Sequence, residues 1–277
     1  MLIKKIFVLT LCLFYSTLVV AKDGYTINFA PLPTKSSSQN VKDFLPINQF
    51  LKEKLSLHIN YVYKKDYQDI LDGFKDGTID MAYLGPLPFI SLRKDYKHAE
   101  PIVTFKQSDG SSKYRCVLAK FKNDIFTKDK KIKVALTQPL STCGYLMTNI
   151  LLKDKFNLDL KNQKYKYKMS HTNALISVVK GEFLLAGAKK SIASKFKTLG
   201  MEIIAQSKLL PGFSLVVNTK TLTKKQILKI QESLLSVSQS EYKKWGGISS
   251  NGLVKAHLND YDSLNVDFKI PKKGNLK

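Results

Sequence analysis

The apolar positions of this chain fall into short runs of two kinds. One kind alternates with period two and reads as β-strand; the other recurs every three or four residues and reads as amphipathic helix. Residues 25–30 (YTINFA), 58–62 (HINYV) and 80–84 (DMAYL) are expected strands. Between them, residues 41–55 place Phe44, Ile47, Phe50, Leu51 and Leu55 on one helical face, and residues 67–75 form a second helix closed by Gly77. Pro46 sits early in the first helix, so its regular part is expected to begin near that proline. Gly85-Pro86 stops the third strand, and another helix is expected over 88–93. Strands and helices in this alternation predict a parallel sheet with helices on its faces. Ligands of such sheets sit beyond the carboxyl ends of the strands. Here those ends are the polar loop after Ala30, which holds Thr34, Ser36, Ser37 and Ser38, and the turn at Leu84-Gly85-Pro86.

A strand over 100–106, a turn-rich stretch over 107–113 (QSDGSSK) and a strand over 114–119 lead into a second alternating unit. Its expected strands are 131–136 (KIKVAL), 165–169, 184–187 and 202–206, and its helices are 145–155, 173–180 and 191–198. Pro211-Gly212 breaks this rhythm. A strand over 213–218 (FSLVVN) and a long helix over 224–238, with Ile227, Ile230, Leu234 and Val237 in register, follow it. The tail beyond reads as polar and irregular. The pattern predicts two α/β lobes, one from residues 25–113 with 211–277 and one from 114–210. Two chain crossings would form a hinge, and a cleft between lobes lined by strand ends and helix starts is a natural small-molecule site.

One turn in the second unit carries chemistry. Thr137-Gln138-Pro139-Leu140-Ser141-Thr142-Cys143-Gly144 joins the 131–136 strand to the helix at 145–155. A helix start has unpartnered amides and a partial positive charge. Hydroxyls there either cap the helix or join the amides in gripping an anion.

The first residues set the compartment. Lys4 and Lys5 precede a nearly unbroken apolar run over 6–20, and Val19-Val20-Ala21 offers small residues before Lys22-Asp23-Gly24. This is the pattern of a cleavable secretory signal over 1–21. The apolar run is short of the roughly 20 residues that a membrane anchor needs, and Leu11 stands before Cys12 where lipidation asks for a small residue. The protein is therefore expected to be exported. Its net charge is +23, or +21 once Lys4 and Lys5 are removed with the signal, which suits anionic partners. Nucleic acid is not among those expected: Arg93 and Arg115 are the only arginines, the lysines are scattered, and phosphate forks and base reading lean on arginine. No His, Cys or carboxylate cluster has metal-ligand spacing, and no Gly-x-Ser-x-Gly nucleophile elbow is present. No metal, cofactor or catalytic residue is expected, which leaves an exported phosphate-ester hydrolase without support. His58, His98 and His257 have no partner pattern, and Trp245 reads as a packing anchor. In the mature chain the cysteines are Cys116 and Cys143, and an exported pair is more often bridged than free.

Taken in order, these motifs resemble the periplasmic substrate-binding proteins of phosphate/phosphonate ABC transporters. The most specific stretch is Gly77-Thr78-Ile79-Asp80-Met81-Ala82-Tyr83-Leu84-Gly85-Pro86, similar to the family's Asp-x-Ala-aromatic-x-Gly-Pro turn. Ser141-Thr142-Cys143-Gly144-Tyr145 resembles its Ser-Thr-Ser-Gly-Tyr phosphonate-gripping loop, and Ser170-His171-Thr172-Asn173-Ala174 its histidine-bearing helix start. The resemblance implies the periplasm as the compartment and an α/β, two-lobed periplasmic binding protein fold of type II, each lobe a mixed sheet flanked by helices, with a two-crossing hinge. It implies capture without chemistry: a monomer closes on a small anionic ligand and presents it to a membrane ABC permease, or to a sensor kinase or chemoreceptor in a sensory alternative. Ser141, Thr142, Cys143 and His171 would bind the ligand from one lobe, and Tyr83, Leu84 and Thr34 from the other.

Two departures from the family pattern bear on the ligand. Cys143 stands where the family often has serine, and a thiol is a poor donor; alternatively Cys143 is tied to Cys116 and the bridge shapes the loop. At Ala188-Lys189-Lys190-Ser191 the chain has lysines where members that bind aminoalkylphosphonates place an acid. Phosphate, phosphite or a small plain phosphonate is therefore the expected ligand. Lys189 and Lys190 themselves read as a solvated helix start.

Overall fold

The computed structural model describes residues 24–127 and 131–264; the signal expected over 1–21 lies outside the described residues. The chain begins β1 (Thr26–Pro31), α1 (Ser37–Leu55), β2 (His58–Tyr61), α2 (Tyr67–Lys75), β3 (Met81–Leu84), α3 (Pro86–Asp95) and β4 (Ala99–Phe105). Two-residue β5 (Lys113–Tyr114) leads to β6 (Cys116–Phe121), β7 (Lys133–Leu136), α4 (Thr148–Phe156), β8 (Lys164–Tyr167), α5 (His171–Val179), β9 (Leu185–Lys189), α6 (Lys190–Ala193) and β10 (Met201–Gln206). The return runs through β11 (Leu210–Pro211), β12 (Ser214–Asn218), α7 (Lys224–Leu235), α8 (Gln239–Trp245) and β13 (Leu253–Lys255).

Two mixed sheets result. The first has the order β13-β4-β12-β3-β1-β2 and the second β10-β6-β9-β7-β8. Helical crossovers make β1 parallel to β2 and β3, and β7 parallel to β8 and β9. β12 enters antiparallel between β3 and β4. Between the sheets the chain crosses twice, outward through β5 and back through β11, and these two strands pair as an antiparallel ribbon. Alternation along each strand sends side chains to both faces. Ile27, Phe29, Met81 and Val217 pack on one side of the first sheet, and Ala30, Ala82 and Val216 on the other. In the second sheet Leu118, Val134 and Leu136 face one cluster, and Val117, Ala119 and Ala135 the opposite one.

Five elements differ from the sequence expectation, one of them the helix expected over 191–198, which is the short α6 followed by a 3-10 turn, Ser194–Leu199. α1 starts at Ser37, well before Pro46, because Ser36 caps it by accepting from the Gln39 amide and because Asn40, Asp43 and Phe44 are buried; that packing outweighs the backbone bond lost at the proline. The helix expected over 224–238 ends at Leu235, and Ser238 caps a separate α8. The helix after β7 opens at Thr142 with a wide π turn over Thr142–Met147 before α4. The expected irregular tail supplies β13 and a 3-10 turn, Leu258–Leu264. That turn is anchored by the Tyr261 ring against Phe89 (centroids 4.5 Å apart) and by a 2.7 Å hydrogen bond between the Tyr261 and Ser214 hydroxyls. Among the described residues no helix is long and apolar enough to cross a membrane.

A disulfide joins Cys116, at the start of β6, to Cys143 in the π turn, across 27 residues of sequence. Both cysteines are buried. Closing a loop of that length should stabilise the fold by about 3 kcal/mol. Cys116→Ser with Cys143→Ser should lower the urea unfolding midpoint, with a slope that is unchanged or steeper because the unbridged unfolded chain expands.

Candidate functional site

Strand ends and helix starts of both sheets meet at one small cavity. Ser141 and Thr142 come from the turn after β7, His171 from the first position of α5, and Lys189 from the carboxyl end of β9. Tyr67 reaches it from the start of α2 and Tyr114 from β5. Leu32, Pro88 and Phe213 complete the walls, and no carboxylate is among the described lining residues. The cavity is small, about 10 Å³, which is about the room that one water molecule needs. A far larger open groove, about 1290 Å³, runs along α2 and α3, but charges of both signs line it, including Asp66, Asp72, Arg93 and Lys94. The small cavity is the better candidate because donors converge there and the groove lacks that focus.

The turn after β7 is built to present hydroxyl protons. Ser141 Oγ accepts from the Gly144 amide at 3.0 Å, capping the π turn. Thr142 Oγ1 accepts from the Leu87 amide at 3.0 Å, and Leu87 lies in the first turn of α3, whose Gly85 cap supplies no side chain. Each hydroxyl oxygen thus accepts from a helix-start amide, which leaves its own O–H to donate and polarises it. π turns of this kind recur at functional sites. Cys143 lines the cavity, but its sulfur is held in the disulfide and its carbonyl accepts from Thr148 Oγ1 at 2.8 Å, so it offers no thiol donor.

Two further polar groups at the cavity are incompletely satisfied. The Tyr114 hydroxyl faces Thr142 without making a hydrogen bond of good geometry, and Nδ1 of His171 has no partner. Burial, reinforced by Lys189, lowers the His171 pKa to about 4, against an opposing backbone interaction with Gly187. The ring is therefore neutral at pH 7, with one donor and one acceptor nitrogen. Burial also raises the phenol pKa values of Tyr67 and Tyr114, keeping both as neutral hydroxyls.

The other residues expected at the site lie behind or beside it. The Tyr83 ring stacks on Phe213 at 5.2 Å and packs edge-on against Phe44 and Phe105 at 5.2 and 5.1 Å, so it backs a cavity wall. Leu84 is buried in the core of the first sheet. Thr34 is partly exposed and its amide bonds the Leu32 carbonyl at 2.7 Å; from that loop it is Leu32 that reaches the cavity.

Lys189 is the residue that sequence reasoning passed over. Read as a solvated helix start, it instead turns inward, its ammonium 5.1 Å from the Tyr114 ring centre and 5.6 Å from that of Phe213. Lys190, beside it, is exposed and bonds Gln206 Oε1 at 3.1 Å, as a surface lysine would. Lys189 ends a strand parallel to β7, so it emerges at the edge where the hydroxyl turn lies; the strand expected over 184–187 stopped short of it. Tyr67, Tyr114 and Phe213 had no local signal, because their approach depends on the packing of distant segments.

The fold and site define a two-lobed periplasmic binding protein of type II. A family described as "ABC transporter, phosphonate, periplasmic substrate-binding protein" matches residues 29–261, and the chain belongs to it. The chain is 25% identical over 203 residues to the phosphonates-binding periplasmic protein of Escherichia coli (strain K12), covering 69% of this chain and 60% of that relative, or less than two thirds of its length. A binding protein component of an ABC phosphonate transporter from Pseudomonas aeruginosa superposes with a TM-score of 0.74 at 20% identity, over 87% of this chain and 85% of its own. A Prochlorococcus marinus protein solved in complex with methylphosphonate gives 0.70 at 15% identity, over 86% and 95%.

The turn's shape depends on Gly144. A Cβ there would fall inside the Thr137 side chain, within 2.6 Å of its Cβ and Cγ2. Gly144→Ala should cost about 1–3 kcal/mol by overpacking. Adding Thr137→Ala should restore part of that loss, as a double-mutant cycle in urea would measure.

Proposed function

We propose that this chain is an exported solute receptor that captures a phosphorus oxyanion, namely phosphate, phosphite or a small phosphonate, and delivers it to an ABC permease. The observation that carries this reading is the cavity itself: small, lined by hydroxyls, an imidazole and an ammonium, and free of lining carboxylates. Ser141 and Thr142 donate to the oxyanion, as helix-start hydroxyls and amides do for phosphate groups generally. Neutral His171 either donates to an ionised oxygen or accepts from a protonated one.

The lobes, 25–113 with 211–277 and 114–210, close over the ligand by bending at the β5–β11 ribbon, in the manner of hinged binding proteins. Two hydrogen bonds already cross the cleft, Leu87 N–H to Thr142 Oγ1 and Gln138 Nε2 to the Pro33 carbonyl at 3.2 Å. The chain acts as a periplasmic monomer, binds without turnover and needs no cofactor. The family match supports transport over a sensory role.

Ser141→Ala with Thr142→Ala removes two donors to a charged group, each worth about 1.5–3 kcal/mol. Calorimetry should show affinity for methylphosphonate and phosphate falling by roughly a hundredfold or more, with the far-UV spectrum unchanged. Undiminished affinity would remove the oxyanion from this site.

A further inference from the structure

We propose that Lys189 selects the ligand: its ammonium faces the bound oxyanion and whatever group it carries, restricting the site to phosphorus oxyanions that bear no amine. The inference rests on the oxyanion reading of the cavity and specifies which members of that class enter.

The geometry supports it from three directions. Lys189 ends β9 at the cavity wall, next to His171 and across from the hydroxyl turn. Two aromatic faces hold the ammonium, Tyr114 from β5 and Phe213 just before β12, so its position depends on both chain crossings. Among the described residues no carboxylate lies at ion-pair distance from it. A half-buried cation held over rings without an anion carries a desolvation cost that a bound anion would offset.

The surrounding groups leave that role open. His171 from α5 and the phenols of Tyr67 and Tyr114 are neutral at pH 7. Arg115, between β5 and β6, is committed to the Ser207 carbonyl at 2.7 Å. Asp109, on the exposed loop before β5, acts on Lys189 from outside the cavity and offsets only part of the effect of burial. Burial lowers the Lys189 pKa to about 8. An anion bound beside it raises that value, so binding takes up a proton, and affinity falls as pH rises through about 8. A second consequence follows for the ligand's substituent. An ammonium on the ligand would meet Lys189 at close range with no acid between them.

The test uses the mature protein and four probes in calorimetry: inorganic phosphate, methylphosphonate, ethylphosphonate and aminomethylphosphonate. The last two have nearly the same size and differ by the charged amine. The wild type should bind ethylphosphonate at least about tenfold more tightly than aminomethylphosphonate, and Lys189→Glu should narrow or reverse that ratio. Lys189→Met should weaken phosphate about tenfold or more. It should also abolish the fall in phosphate affinity above about pH 8, while leaving the melting temperature of the free protein unchanged or raised. Equal wild-type affinity for the amine and its isostere would overturn the inference, as would a Lys189→Met protein with unchanged phosphate affinity and pH profile. In either case the oxyanion reading would stand. Failure of the wild type to bind any of the four would overturn both.

Discussion

The hydrogen bond from the Leu87 amide to Thr142 Oγ1 joins a helix start in one half of the molecule to a helix start in the other. The Gly85-Pro86 opening of α3 has no side chain with which to cap its own amides, and Thr142 Oγ1 accepts from one of them in place of a cap. Apolar packing follows the same seam. Leu87 sits in the cluster of Cys143, Tyr145 and Leu146 from the second sheet, and Leu140 sits in the cluster of Leu32, Tyr67 and Phe89 from the first. The cavity is what remains between these two exchanges of apolar side chains.

That seam works only if the turn after β7 keeps one shape. Several short-range constraints bring this about. Ser141 caps the turn, Gly144 lets Thr137 lie against its backbone, and Cys143 is bonded to β6. Gly187 on β9 contributes in the same way, since a Cβ there would strike the Cys143 carbonyl at 2.9 Å. The disulfide changes what the cysteine means for the ligand. A free thiol would have been a weak donor in a serine's place; as half of a bridge, Cys143 is a strut, and the side-chain donors of the turn are its two hydroxyl neighbours.

Much of this was legible from local pattern. Period-two and helical runs located the strands and most helices, and their alternation implied two lobes with a site at the strand ends. Ser141 and Thr142 stood out because hydroxyls at a helix start have a chemical reason to be there, and His171 stood out through the resemblance of its motif to the family's histidine-bearing helix start. Elements whose limits depend on packing were less legible. The early start of α1 rests on buried Asn40, Asp43 and Phe44, and the last strand and 3-10 turn rest on contacts with β4, Phe89 and Ser214. Tyr83 was read as a ligand contact from its motif, and the structure instead places its ring among Phe44, Phe105 and Phe213.

By itself the sequence determined the class of fold and the hydroxyl turn. These are local properties, set by the spacing of apolar residues and the chemistry of single side chains. Tertiary structure alone decided that Lys189 belongs to the cavity while Lys190 belongs to the surface. Adjacent in sequence and alike in chemistry, they differ only in what surrounds them: Tyr114 and Phe213 arrive beside Lys189 from the two chain crossings, and Gln206 meets Lys190 outside. Burial of a charge is a property of distant segments brought together, and no local pattern encodes it.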